Sequence, residues 1–241
     1  MTSTDPNTTP APNRQRRAKI VVWVLLALVI VGGTIGYFVA RGATTPPQDA
    51  SPSTGQESGQ PTQEAGQVVR ENSRVLSQAP NEKAVLVEFL DFECEGCGAA
   101  YPIVEELRAE YGDTVTFVTR YFPLPGHRNA MPAAVAVEAA AQQDAYEPMY
   151  QRMFQTQAQW GEATEDKSPV FRGYAEDLGL DMAAYDQAVA DPATRARIEA
   201  DVADGIALGV QGTPTFFLDG QMLTLTSFEQ FRAEVETAAQ N

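Results

Sequence analysis

The sequence predicts one α/β domain over residues 73–241, in which a strand–helix–strand half and a hairpin–helix half enclose a block of helices. Three observations carry this. A valine-rich run at 84–90 leads into a helical pattern and then a second apolar run at 115–122. Helical spacing then dominates to about residue 208. An apolar run returns at 215–218, followed by a turn dipeptide and one more helical pattern.

Each element has its own signal. Ala84-Val85-Leu86-Val87-Glu88-Phe89-Leu90 is short, apolar and β-branched, as a buried strand is. After Cys94-Glu95-Gly96-Cys97, residues Ala100, Ile103, Val104, Leu107 and Tyr111 recur at helical spacing, and Gly112 is a stop signal. Pro102 falls inside this helix and should kink it. Val115–Phe122 is the second strand, so the first three elements form the βαβ unit of a parallel sheet. Tyr146, Met149, Tyr150, Met153 and Phe154 follow one face of a helix and read as core, not as a cofactor site. Further helices are expected at 170–178, 181–190 and 192–208. Thr215-Phe216-Phe217-Leu218 is a strand, Asp219-Gly220 a hairpin turn, and Phe228, Phe231 and Val235 mark a last helix.

The N-terminal third has a different composition. Residues 20–40 form an uncharged run of 21. At about 1.5 Å per residue it spans roughly 30 Å, the hydrocarbon thickness of a bilayer. Arg14, Arg16, Arg17 and Lys19 precede it and only Arg41 closely follows, which keeps residues 1–19 in the cytoplasm and exports the rest. The run is longer than the core of a cleaved signal peptide and lacks a small-residue cleavage site, so it reads as a retained single-pass anchor. Residues 41–72 are rich in Thr, Pro, Ser, Gln and Gly and cannot bury a core; they read as a disordered linker.

Charge and cysteine count narrow the chemistry. The chain has 17 basic and 32 acidic residues, a net charge of −15. Six of the basic and five of the acidic residues precede Ser73, which leaves 11 against 27 in the domain. Such a surface repels phosphate backbones, so nucleic acid is not an expected partner. Two cysteines three positions apart are no folding framework. A structural metal site needs four ligands, and two cysteines with the single His127 do not supply them. An inert bridge over so small a loop adds little stability. A reactive pair remains. At the start of the helix of a βαβ unit, the i, i+3 spacing puts both sulfurs on one side of the first turn. The free N–H groups and dipole there favour a thiolate on the first cysteine. The second lies further in and resolves a mixed disulfide. The chemistry needs neither cofactor nor metal.

Residues 87–97, Val-Glu-Phe-Leu-Asp-Phe-Glu-Cys-Glu-Gly-Cys, resemble the active-site segment of the DsbA-like branch of the thioredoxin superfamily. Tyr121-Phe122-Pro123-Leu124 followed by His127 and an Ala-rich helix, and Gly212-Thr213-Pro214-Thr215 after a helical insertion, are similar to that branch too. The resemblance covers about residues 73–241. It implies a thioredoxin fold with an inserted helical subdomain at about 126–208 and disulfide exchange on exported proteins. By position it makes Cys94 the attacking cysteine, Cys97 the resolving one and Pro214 a cis-proline facing the pair, preceded by Thr213. It places Glu88 where the superfamily keeps a buried carboxylate near the resolving cysteine, with a raised pKa and able to relay a proton to Cys97. It places His127 at the mouth of a helix, away from the pair, in a structural role.

The sequence departs from the resemblance between the cysteines, where Glu95 and Gly96 stand and Glu93 precedes. Carboxylates beside Cys94 disfavour its thiolate, and a Glu after the first cysteine also resembles exported reductases of cytochrome maturation. The first expectation is an extracytoplasmic enzyme that forms disulfides in exported or surface clients and is reoxidised by a membrane partner. An exported reductase or isomerase with the same residues is the alternative. A redox-inactive binding module is a third reading, against which the intact Cys94, Cys97 and Pro214 argue.

Overall fold

The structure, a computed structural model, describes residues 66–241. The anchor expected at 20–40 and the linker up to residue 65 lie outside the described residues. Among the described residues no helix is long and apolar enough to cross a membrane.

Five strands form one sheet: β1 (Arg74–Ser77), β2 (Ala84–Leu90), β3 (Val115–Tyr121), β4 (Thr215–Leu218) and β5 (Gln221–Met222), in the order β1-β3-β2-β4-β5. β2 and β3 are parallel and joined by helix α1 (Glu95–Tyr111), as the βαβ reading requires. α1 is a single helix across Pro102. β4 pairs antiparallel with β2, setting Phe216 opposite Glu88. Asp219 and Gly220 have φ of 49° and 79°, the two positive values of a type I′ turn, and Leu218 pairs with Gln221 across it. β1 was not legible from pattern. It is four residues long and joins the edge antiparallel to β3, with a bulge between Val75 and Ser77.

Strand alternation sorts the sheet into two faces. Leu86, Leu90, Phe117, Tyr121 and Phe216 pack toward α1 and the last helix, α8 (Phe228–Gln240), where Phe216 stacks on Phe231 at 4.3 Å. Glu88 alternates with Leu86 and Leu90 and so shares this buried face. Val87, Phe89, Val118 and Phe217 point the other way, against Val202, Leu208 and Val210. Those residues belong to α7 (Pro192–Ala207) and the turn after it. Gly205 lets α7 approach, since a Cβ there would sit 2.7 Å from the Phe122 ring.

Six helices fill the interval between β3 and β4: α2 (Ala130–Ala141), α3 (Tyr146–Gln155), α4 (Gln157–Trp160), α5 (Ser168–Asp177), α6 (Met182–Ala190) and α7. The aromatic–methionine stripe of α3 is buried throughout, which makes it core. Asp181 and Asp191 cap α6 and α7 by accepting from Ala183, Ala184 and Ala193 N–H groups.

A buried ion network holds residues 66–70 to this frame. Arg120 of β3 pairs with Asp201 and Asp204 of α7, both at 2.6 Å, and donates to the carbonyls of Gln67 and Val68. Asp204 also pairs with Arg70 and accepts from the Gly66 N–H at 3.0 Å. Burial opposes its charge, but the hydrogen bonds from Arg70 and Arg120 outweigh that and hold the Asp204 carboxyl well below the usual range.

Candidate active site

β2 ends at Leu90, and four residues later Cys94 takes the N-cap position of α1, with φ −67° and ψ 123°. Cys94 is half-buried, Cys97 is fully buried, and both are free thiols. The Cys94 thiol donates to the Thr213 carbonyl at 3.3 Å. The Thr213–Pro214 peptide bond is cis, as the resemblance implies. Gly96 admits this loop, since a Cβ there would lie 3.1 Å from Pro214 Cδ and 3.5 Å from Cys94 Sγ. The structure therefore brings Cys94, Cys97, Thr213 and Pro214 together.

The two sulfurs sit in opposite electrostatic settings. The Cys94 pKa falls to about 5, first because the Cys97 thiol donates to its sulfur. The Thr213 side chain and the N–H groups of Cys97 and Gly96 add to this, while burial opposes it. These N–H groups are the N2 and N3 donors that an N-cap oxygen would ordinarily engage. As a thiol Cys94 makes no such cap bond; the donors become partners once the sulfur is charged. The Thr213 hydroxyl is buried and has no partner beside the neutral thiol, so it too is available to a thiolate. Burial pushes the Cys97 thiol well above its ordinary value, and the hydrogen bond to Cys94 and the charge of Glu88 add to the rise.

Glu88 is 3% exposed and one of its carboxyl oxygens has no partner. Burial lifts its pKa to about 8, with smaller contributions from Cys94 and Glu105. A buried carboxyl with a raised pKa is thus present where its charge is felt by Cys97.

Three other residues organise the loop. Asp91 is buried; its main chain accepts from Cys94 N–H at 3.2 Å and donates to Cys97 Sγ at 3.5 Å. His127 Nδ1 lies 2.6 Å from Asp91 Oδ2, so this histidine is tied to the redox loop and not set apart from it. Gln157, in the inserted α4, donates to the carbonyls of Phe92 and Cys94, both at 2.8 Å. Gly98 leaves room for it. Glu93 turns inward and accepts from the Asn129 N–H at 2.6 Å, at the start of α2. Its carboxylate is thus directed at that helix terminus. Glu95 is exposed. Asp91 could have been found in the sequence as a carboxylate at the end of an apolar strand; Gln157, 63 positions from Cys94, gives no such signal.

A family profile described as "Thioredoxin" matches residues 77–237, about two thirds of the chain. The chain belongs to the thioredoxin family. Its fold is that of the DsbA-like branch. This thioredoxin-family chain superposes on a thioredoxin-like oxidoreductase from Silicibacter pomeroyi with a TM-score of 0.59 and 26% identity, covering 71% of this chain and 95% of that one. For alpha-DsbA1 from Wolbachia pipientis the TM-score is 0.61 at 18% identity, over 72% and 94%. Over 138 residues the chain is 39% identical to a protein named Na(+)/H(+) antiporter NhaA from Herminiimonas arsenicoxydans, covering 57% of this chain. The chain spans about a fifth of the length of such curated relatives.

Proposed function

We propose that this thiol–disulfide oxidoreductase forms disulfides in exported or surface proteins outside the cell membrane. The observation that carries the direction is the split between the cysteines, with Cys94 accessible and acidified to about 5 and Cys97 buried and raised. A stabilised thiolate favours the reduced dithiol, and a protein whose reduced form is stabilised is an oxidant.

In the oxidised state a client thiolate attacks Cys94 Sγ of the Cys94–Cys97 disulfide. The S–S bond breaks, Cys97 leaves as a thiolate and takes a proton from Glu88, and a Cys94–client mixed disulfide forms. A second client thiolate attacks the client sulfur and expels Cys94, the better leaving group for its low pKa. The client loses two electrons and the pair gains them. A membrane partner with a disulfide or quinone acceptor removes them again. The uncharged run at 20–40 anchors the chain with its basic N-terminus in the cytoplasm. Antiporter activity is not carried over, since the matched stretch is a fifth of those proteins.

Exposed Glu95 beside Cys94 favours the second reading, an exported reductase or isomerase. Equilibration of the soluble domain with glutathione buffers decides between them. A potential near or above about −180 mV supports the oxidase, and one near about −270 mV, the thioredoxin value, supports the reductase. Protease added to spheroplasts should remove residues 73–241; protection of that segment would overturn the orientation.

A further inference from the structure

We infer that His127 is a positioning residue for the thiol chemistry: its protonated ring is the counter-charge that keeps the buried Asp91 carboxylate from opposing the Cys94 thiolate. The inference rests on the exchange reading above and adds the group that sets its pH dependence.

Asp91 is 1% exposed. Its Oδ1 accepts from Glu93 N–H at 2.8 Å, and its Oδ2 accepts from Leu124 N–H at 3.0 Å and meets His127 Nδ1 at 2.6 Å. With two main-chain donors already directed at it, the carboxylate acts as an acceptor and His127 Nδ1 carries a proton. The Asp91 main chain meanwhile accepts from Cys94 N–H and donates to Cys97 Sγ. A negative charge is therefore fixed within one residue of the atoms that hold both cysteines. Main-chain dipoles spread that charge, but a cation is needed to cancel it. Among the described residues the ion pair of Asp91 is with His127.

Burial opposes the charged imidazole, and the acidic groups and thiol that face it favour it. Asp91, Cys94 and Glu93 reach it from the loop between β2 and α1, and together they overcome burial to raise its pKa. Its chain neighbour Arg128 lines a cavity of about 610 Å³ among α2, α5 and α6, beside Asp166. Since Nδ1–H is committed to Asp91, the second proton resides on Nε2. Protonation of His127 and ionisation of Cys94 then support one another, and such coupling is reciprocal. When Cys94 becomes a neutral disulfide sulfur, His127 loses part of what holds its proton.

His127 is the single histidine of the chain, so its titration is read without assignment. The full chain is titrated by imidazole-nitrogen NMR in the oxidised and the dithiothreitol-reduced forms. The reduced form is expected to show the higher His127 pKa, by about half a unit or more. Equal values in the two forms would overturn the inference. Thiolate absorbance of reduced variants gives a second readout. H127Q keeps an N–H for Asp91 without the charge, and is expected to raise the Cys94 pKa by about 0.5–1 unit, a three- to tenfold fall in its ionisation constant. H127K keeps the charge and is expected to stay closer to the wild type than H127Q does. A wild-type Cys94 pKa in H127Q would reduce His127 to a hydrogen-bond donor and overturn the proposal. Both readouts are taken without clients, so failure to oxidise a client would count against the exchange reading and leave them standing.

Discussion

Replacing Thr213 with valine removes one hydroxyl and keeps the shape of the side chain. In the thiol form that hydroxyl is buried without a partner, whereas beside the Cys94 thiolate it is the strongest donor after the Cys97 thiol. A hydrogen bond to a charged group is worth about 1.5–3 kcal/mol. Cys94 is only half-buried and keeps the Cys97 thiol and two N–H donors, so water and those groups recover part of the loss. We take about 1.4 kcal/mol as the remainder, which is about one pKa unit. The Cys94 pKa is then expected to rise from about 5 to about 6. At pH 7 the reduced form loses the same energy, and the potential moves about 30 mV toward the reducing side. Absorbance of the reduced protein at thiolate wavelengths, followed against pH, reads the first quantity, and glutathione equilibration reads the second. The oxidised variant should melt no lower than the wild type, because no satisfied hydrogen bond is lost there. An unchanged or lowered Cys94 pKa would refute the assignment of Thr213 as a thiolate donor.

Two further outcomes follow from the same geometry. Glu88 has its folded-state pKa raised from the ordinary 4.5 to about 8, so between those values the folded state binds more protons than the unfolded one. Stability attributable to this group is therefore fullest below about pH 4.5 and falls as pH rises toward about 8, by up to about 1.4 kcal/mol per unit. Denaturant titrations of E88Q should lack that slope and gain on the wild type by about 2–3 kcal/mol near pH 7; parallel pH profiles would contradict the burial argument. In G96A the added Cβ, 3.1 Å from Pro214 Cδ and 3.5 Å from Cys94 Sγ, must push the Thr213–Pro214 loop aside. Alkylation of Cys94 by iodoacetamide should slow about fivefold, an overpacking cost near 1 kcal/mol, and an unchanged rate would show the loop to be free to move.

What the sequence revealed was mostly local. β2, α1 and β3 announced themselves by period, and Asp219-Gly220 specified a turn that only two positive φ values can close. Cys94 and Cys97 could be placed by their position at the start of a helix, and Glu88 and Pro214 by what the resemblance to the DsbA-like branch implies. β1 escaped because four residues at a sheet edge carry no pattern; tertiary pairing with β3 decides it. Glu93 was read as a charge against Cys94 because it is adjacent in the chain, yet its carboxylate serves Asn129 across the fold. The link from Asp91 to His127, 36 residues apart, and that from Gln157 to the Cys94 carbonyl exist only once the insertion has closed over the sheet.

The central claim is that Cys94 is the sulfur that carries the client in the mixed disulfide and Cys97 the buried thiol that can return to release the client and close the pair. Its most direct test compares the single-cysteine variants in cells that export cysteine-bearing clients. C97A keeps the activated nucleophile and removes the thiol that would release it, so clients should accumulate as reductant-sensitive mixed disulfides. C94A leaves only a sulfur buried and raised well above its ordinary pKa, and should trap little. Strong trapping by C97A with little by C94A is the expected result; equal trapping by both, or trapping by neither with clients present, would contradict the account.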